Sequence, residues 1–329
     1  MQDFIGARGI IPKERLAELS ERRNGPAFLY LASHWGAIAL NGLAMHYAWG
    51  TWWCVPLFLL QGLLINFLYA PQHECDHFTA FRTRRLNEAV GFVCGFILIY
   101  ANSDHRWSHY AHHRNTQNWD RDTELARGPI RTLGGYLLYL SGITLIRNKF
   151  SRIIRHALGR ADDWYLTAGQ RRSVIATSRW MVAGYAVIAA SAVAAQSWWP
   201  LYCWIGPFVV MRWTYMLQGA GEHVGLTHEP NTLLNTRTLT TNAFMRWLNW
   251  NMTYHTAHHT FPGVPFHRLP ELHREIEERL GYRLPSAPYF RLHWGHIRRF
   301  ARGETELDIC AGHDERLVEE GKLPAAAAG

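Results

Sequence analysis

Two long stretches of the chain carry no charge: no Asp, Glu, Lys or Arg occurs in residues 24–72 or in residues 180–211. A bilayer span takes about 20 apolar residues. Each stretch therefore has room for a helical hairpin, the second one if Arg179 and Arg212 snorkel to the membrane surface. The pattern predicts spans over residues 27–49, 52–70 and 173–196, and a fourth ending near Leu217. The turns between them, Gly50-Thr51 and Ser197-Trp198-Trp199-Pro200, are uncharged. Residues 89–101 are apolar but too short to cross, and they read as a half-buried or in-plane segment. Residues 133–146, with Leu133, Leu137 and Leu140 on one face, read the same way. Residues 11–23 predict a short surface helix starting near Pro12 and broken by Asn24-Gly25-Pro26. A charged helix is expected to open at Pro270 and close at Gly281.

The expected architecture is all-α. It is a polytopic membrane protein with four transmembrane helices in two hairpins, in-plane helices and a cytoplasmic helical cap. Residues 1–26 form an N-terminal cytoplasmic segment and 27–284 the integral membrane domain. Residues 285–329 form a tail with no recognisable chemistry, whose PAAAAG end reads as disordered. Residues 1–23 are charged and lack the apolar core of a cleavable signal. Phe81-Arg82-Thr83-Arg84-Arg85 places the end of the first hairpin in the cytoplasm by the positive-inside rule. A single crossing by residues 89–101 would put histidines that belong together on opposite sides of the membrane.

Composition changes this picture little. The net charge of +8 flanks the apolar runs and is not interleaved with stacking aromatics. It therefore reads as attraction to a bilayer surface and not to nucleic acid. The five cysteines (54, 75, 94, 203 and 310) show no CxxC and no regular spacing, which argues against a disulfide framework or a zinc ribbon.

The chemistry lies in the histidines. His109-Tyr110-Ala111-His112-His113 and His255-Thr256-Ala257-His258-His259 share the pattern H-x-x-H-H, and His73 and His77 stand four apart. Positions i, i+3 and i+4 share a helix face, so each group aims its imidazoles at one spot. His223, just past the fourth span, is the best candidate for a ninth ligand, with His228 its competitor. His105 shares a face with the second cluster. Asn251 shares one with the third, where it is placed to hold a metal-bound water. Residues 120–124 are read as fixing the loop and helix end. His73-Glu74-Cys75-Asp76-His77 also matches the zinc-protease pattern H-E-x-x-H, with Glu74 as base, but a protease leaves both H-x-x-H-H copies unexplained.

The ordered set H-x3-H, H-x2-HH, H-x2-HH, with two membrane hairpins between clusters, resembles the membrane-bound fatty acid desaturase and hydroxylase family. The stretches HRWSHYAHHRNTQ and YHTAHHTFPGVPFHRLPELH are similar to its bacterial members. The resemblance covers residues 66–273. It implies a non-haem diiron centre held by His73, His77, His109, His112, His113, His223, His255, His258 and His259, with O2 as co-substrate. It also implies C–H chemistry on an acyl or other long apolar chain, namely desaturation or, as the alternative, hydroxylation. Imidazole suits iron, and also zinc, copper and nickel. Glu74, Asp76, Asp104 and Glu222 are expected to orient ligand N–H groups.

Two departures from the family pattern stand out. Gly219 takes the place of a frequent Asn, and His255 that of a frequent Gln. No His-Pro-Gly-Gly segment of a fused cytochrome domain is present, so an external donor is expected: an acidic ferredoxin or similar carrier, with its reductase, docking on a basic face. The substrate is expected in a dry tunnel between spans and cap. The expected location is a bacterial inner membrane, with termini and site cytoplasmic.

Overall fold

The computed structural model describes residues 9–323. Apart from two three-residue strands, β1 (Thr238–Thr240) and β2 (Ser286–Pro288), paired in parallel, the described residues form helices and connecting turns. The PAAAAG end lies outside the described residues.

Helix α1 (Lys13–Leu19) follows Pro12 as expected. Asn24-Gly25-Pro26 does not act as a breaker: it opens α2 (Asn24–Tyr47), because proline in a first turn forgoes no helical hydrogen bond. After the turn come α3 (Cys54–Asn66) and α4 (Tyr69–Asp76). Together they make a 23-residue run long and apolar enough to cross a membrane. Pro71 sits inside this run, where the sequence suggested an exit from the bilayer; it lies in the first turn of α4. The helix thus carries His73 on its last turn, with His77 as its C-cap.

Helix α5 (Arg84–Ile97) and α6 (Asn102–Asn115) meet at 99°. A 14-residue helix is about 21 Å long, short of the roughly 30 Å hydrocarbon core. Helix α7 (Leu133–Ser141) ends at Gly142, whose φ of +70° is left-handed, and α8 (Ile143–Ala157) starts there. The in-plane segment expected over 133–146 is therefore two helices. Its inward face is Tyr136 and Leu140, while Leu137 is 51% exposed.

Helix α9 (Ala168–Ala194) begins with a Thr167/Gln170 capping box and is the second helix able to span. The return run is broken. A turn of π helix (Leu201–Ile205), α10 (Gly206–Val210) and a kink at Met211 lead into α11 (Arg212–His223). Among the described residues two helices qualify as spans by length and apolarity alone, or three if α5 and α6 count as one. The two hairpin turns lie side by side: Trp49 packs edge-on against Tyr202 at 4.6 Å and His46 against Trp199 at 5.6 Å. Exposed Trp49, Trp52, Trp53, Trp198 and Trp199 make this end aromatic.

At the other end sits the cap. Helix α12 (Ala243–Leu248) and α13 (His255–Thr260) lead to α14 (Leu269–Leu280), which has Pro270 in its first turn and left-handed Gly281 at its end, as expected. Leu19 of α1, Met252, Ala257, Leu269, Leu272 and Ile276 share one core. The C-terminal tail is built into the fold. Phe300 of α15 (Tyr289–Ala301) and Ile309 of α16 (Glu306–Glu319) pack with Tyr136, Leu140, Met216 and Val224.

Candidate metal centre

The three histidine clusters and His223 meet at the inner ends of α4, α6, α11 and α13, and they sort into two groups. His73, His77, His109, His113 and His258 each offer a ring nitrogen, all within 4.8 Å of one another. His112, His223 and His259 form a second such group. His255 joins it, with its Nε2 2.8 Å from His223 Nε2. Parallel rings of His113 and His259, 4.1 Å apart, link the groups.

Several contacts bring nitrogen against nitrogen: His109 Nε2 and His113 Nε2 at 2.9 Å, His113 Nε2 and His258 Nε2 at 3.2 Å. Burial holds these rings neutral, pushing His258 down to about 3 and His109, His113, His223, His255 and His259 well below the usual imidazole range. Buried ring nitrogens with no hydrogen-bond partner include both of His73, Nε2 of His77, Nε2 of His112 and Nε2 of His259. Buried polar atoms are normally paired, so converging lone pairs of this kind fit cations. The all-nitrogen donor set suits iron, zinc, copper or nickel.

The supporting residues only partly match expectation. Glu222 Oε1 stands 3.3 Å from His255 Nδ1. Asp76 accepts from His105 Nδ1 at 2.5 Å, and its carbonyl accepts from the Tyr110 hydroxyl at 2.6 Å, so it braces α4 against α6. His105 lies parallel to His109 at 5.2 Å.

Four expectations need correction. Glu74 touches no clustered histidine: its Oε2 accepts from the Thr79 hydroxyl at 2.7 Å and the Phe266 amide at 3.1 Å. That atom is thereby engaged away from the position a protease base would hold. Asp104 pairs with Arg152 and Tyr165, since it sits on the far side of the α6 N-terminus. His228 is held by the Gln117 carbonyl at 2.8 Å, outside both groups. Asn251 cannot share a face with His255, because its φ of +56° precedes the start of α13; its amide donates to the Phe266 carbonyl.

Asp122 was legible only as a loop residue. It does fix the loop, accepting from the Gln117 and Glu124 amides at 2.8 Å each. It also takes His112 Nδ1 at 2.7 Å. Burial opposes a charge on His112, but Asp122 and Glu124 outweigh it and raise this ring to about 9. Glu124 itself stands 4.0 Å from His109 Nδ1 and 3.9 Å from His112 Nε2, between the two groups. Gln117, left-handed at φ +66°, donates to the His223 carbonyl at 2.6 Å. Thr116 Oγ1 lies 3.3 Å from His259 Nδ1. These contacts join loop to cluster across the chain, and no local spacing announces them.

Arg212 does not snorkel. Only 2% exposed, it gives Nη1 to Asn66 Oδ1 at 3.2 Å. An apolar groove of about 690 Å³ between α9 and the Leu201–Ile205 turn shares no lining residue with either histidine group.

Comparison with known proteins settles the affiliation. The fatty acid desaturase family model matches residues 50–292, which include every clustered histidine. The chain belongs to this family. It is similar to the fatty acid desaturase of Bacillus subtilis (strain 168), 23% identical over 62% of this chain and 63% of that protein. It is also similar to the sn-1 oleoyl-lipid 12-desaturase of Picosynechococcus sp., 23% identical over 72% of this chain and 58% of that protein. A third relative, the Delta(12)-acyl-lipid-desaturase of Punica granatum, is 24% identical over 82% of this chain and 76% of that protein. The chain thus spans less than two thirds of the first two relatives.

Proposed function

We propose that this desaturase-family chain is an O2-dependent membrane oxidoreductase with two non-haem irons. It removes two hydrogens from an acyl or other long apolar chain. The observation that carries the reading is the sorting of nine buried or half-buried imidazoles into two adjoining groups. A zinc protease needs two histidines and one further ligand and has no use for the second group.

In this reading His73, His77, His109, His113 and His258 hold one iron. His112, His223, His255 and His259 hold the other. Bound iron supplies, with O2 and two electrons, the oxidant that an unactivated C–H bond requires. The residues do the rest. Burial keeps the imidazoles other than His112 neutral and therefore able to ligate, whereas His112, raised by Asp122 and Glu124, gives up its proton when a metal binds. Asp122 and Glu222 orient His112 and His255, and Asp76 fixes α4 against α6. Glu124 is the carboxylate that reaches both groups. Four helical passes fit the paired aromatic turns, which leave termini and site on the cytoplasmic side of a bacterial inner membrane. Exposed Arg291 and Arg298 on α15, with Arg302 just past its end, suit an acidic electron carrier such as a ferredoxin.

Metal analysis and product mass test this together. Near two irons per chain and a product lighter by two hydrogens support desaturation. A gain of one oxygen makes the enzyme a hydroxylase. A single zinc per chain, or full turnover by His109→Ala or His258→Ala, overturns the reading.

A further inference from the structure

Two cations stand beside the centre without a counter-ion. Arg212, the first residue of α11, is 2% exposed, and its Nε has no hydrogen-bond partner. Its guanidinium carbon lies 4.1 Å from the Tyr215 ring centroid. Lys149 of α8, half-buried, holds its Nζ 3.6 Å above the Tyr100 ring, where the positive charges of Arg152 and Arg212 both bear on it. Among the described residues neither forms an ion pair. Other inward arginines meet a carboxylate, Arg127 that of Glu306 and Arg152 that of Asp104, whereas Arg212 has only the neutral amide oxygen of Asn66. Asp104 and Glu124 reach Lys149 only through space. Asp104 is already taken by Arg152, and Glu124 leans on His109 and His112.

A desolvated cation is costly unless paired. Ring faces recover part of that cost, and a second cation nearby adds to it. The protein has also made room for this arrangement. A Cβ on Gly142 would come within 2.5 Å of Arg212 Cγ, so the α7–α8 break is what admits the side chain. The pair adjoins the histidines: Tyr215 is 4.6 Å from Tyr69, whose ring lies 5.7 Å from His73, and Tyr100 is 4.5 Å from His105.

We propose that Arg212 and Lys149 form an anion seat that draws the carboxylate or phosphate head of the substrate inside the protein. The substrate is then a free organic anion, not an acyl group whose neutral ester stays in the bilayer. The inference deepens the oxidoreductase reading, which concerns the same site, but its test needs no turnover.

The experiment titrates iron-loaded full-length protein in detergent, without reductant, with octanoate, octyl phosphate and methyl octanoate, following heat and the iron absorption spectrum. At least one anion should bind a single site without altering the spectrum. Its affinity should fall about tenfold or more in Arg212→Gln and in Lys149→Gln, and return in Arg212→Lys. The ester should show no such dependence. Tighter octyl phosphate names a phosphate head, and tighter octanoate a carboxylate. Equal binding of ester and anion overturns the seat. So does unchanged anion affinity in the Gln variants, or binding that only perturbs the iron spectrum. If Arg212→Gln does not fold, Lys149→Gln carries the test. Anion binding without any oxidation product would leave the seat standing and remove the oxygenase reading alone.

Discussion

His112 Nδ1 lies 2.7 Å from Asp122 Oδ1, and both side chains are almost wholly buried. Hydrogen bonds of this kind fix the tautomer and raise the basicity of a ligating imidazole. Asp122→Asn keeps the shape and loses the charge. Metal affinity at the second group should drop by about 10–100-fold, with metal content falling towards one ion per chain. Two tightly held ions in Asp122→Asn, by elemental analysis after dialysis against chelator, would show that His112 needs no such partner.

The sorting of the histidines gives a second prediction. His258 belongs with His73, His77, His109 and His113, whereas its neighbour His259 belongs with His112 and His223. His258→Ala and His259→Ala should each retain about one ion, and the double variant none. Loss of both ions from either single variant would mean that the groups load only as a unit.

Gly142 joins α7 to α8 at φ +70°, against the Arg212 stem. Gly142→Ala adds both left-handed strain and overpacking, and should destabilise by about 2–4 kcal/mol. Chemical denaturation in detergent reads this directly. Gly263→Ala is the control: its Cβ meets nothing within 4 Å and its φ is not left-handed.

The Tyr136 hydroxyl lies 2.8 Å from His293 Nδ1 and 3.3 Å from His296 Nδ1. Burial lowers His293 to about 4 and His296 to about 3. Unfolded, both titrate near 6.5. Below that pH the unfolded chain binds protons the folded chain refuses, so stability falls as pH drops from 6.5 towards 4, and above 6.5 the two histidines contribute no slope. Going from pH 7 to pH 5 costs about 2 kcal/mol per histidine. His296→Asn should flatten the unfolding free energy against pH by that amount; an unchanged slope would place His296 in contact with water.

Glu306 takes a bidentate pair from Arg127, at 2.6 and 2.7 Å, and the Ile130 amide at 2.8 Å. This ties α16 to the segment that follows the second histidine cluster. Glu306→Gln leaves Arg127 with the Gly128 carbonyl but no counter-charge and should cost about 3 kcal/mol, with proteolysis beginning in the C-terminal helices.

What could be read in advance followed from local periodicity. The three clusters, the α14 boundaries and the charge-free hairpins all depend on residues a few positions apart, where helix pitch converts spacing into a shared face. The rest depended on chain reversals. Asp122 reaches His112 because Gln117 turns left-handed, and Asn251 leaves its expected face for the same reason. Arg212 reads as a boundary cation by sequence, yet it turns inward to Asn66, 146 positions away. The tail looked inert because Phe300 and Ile309 show their purpose only against Tyr136 and Val224.

Helices α6 and α13 each feed both histidine groups, through side chains one or a few steps apart on a single rigid rod. The gap between the groups is therefore ruled by backbone geometry and not by loops. Rolling either rod to tighten one pocket would drag the other out of register. A deletion or insertion of one residue within either pentapeptide should thus cripple both pockets at once, whereas changes of loop length outside them leave the ruler intact.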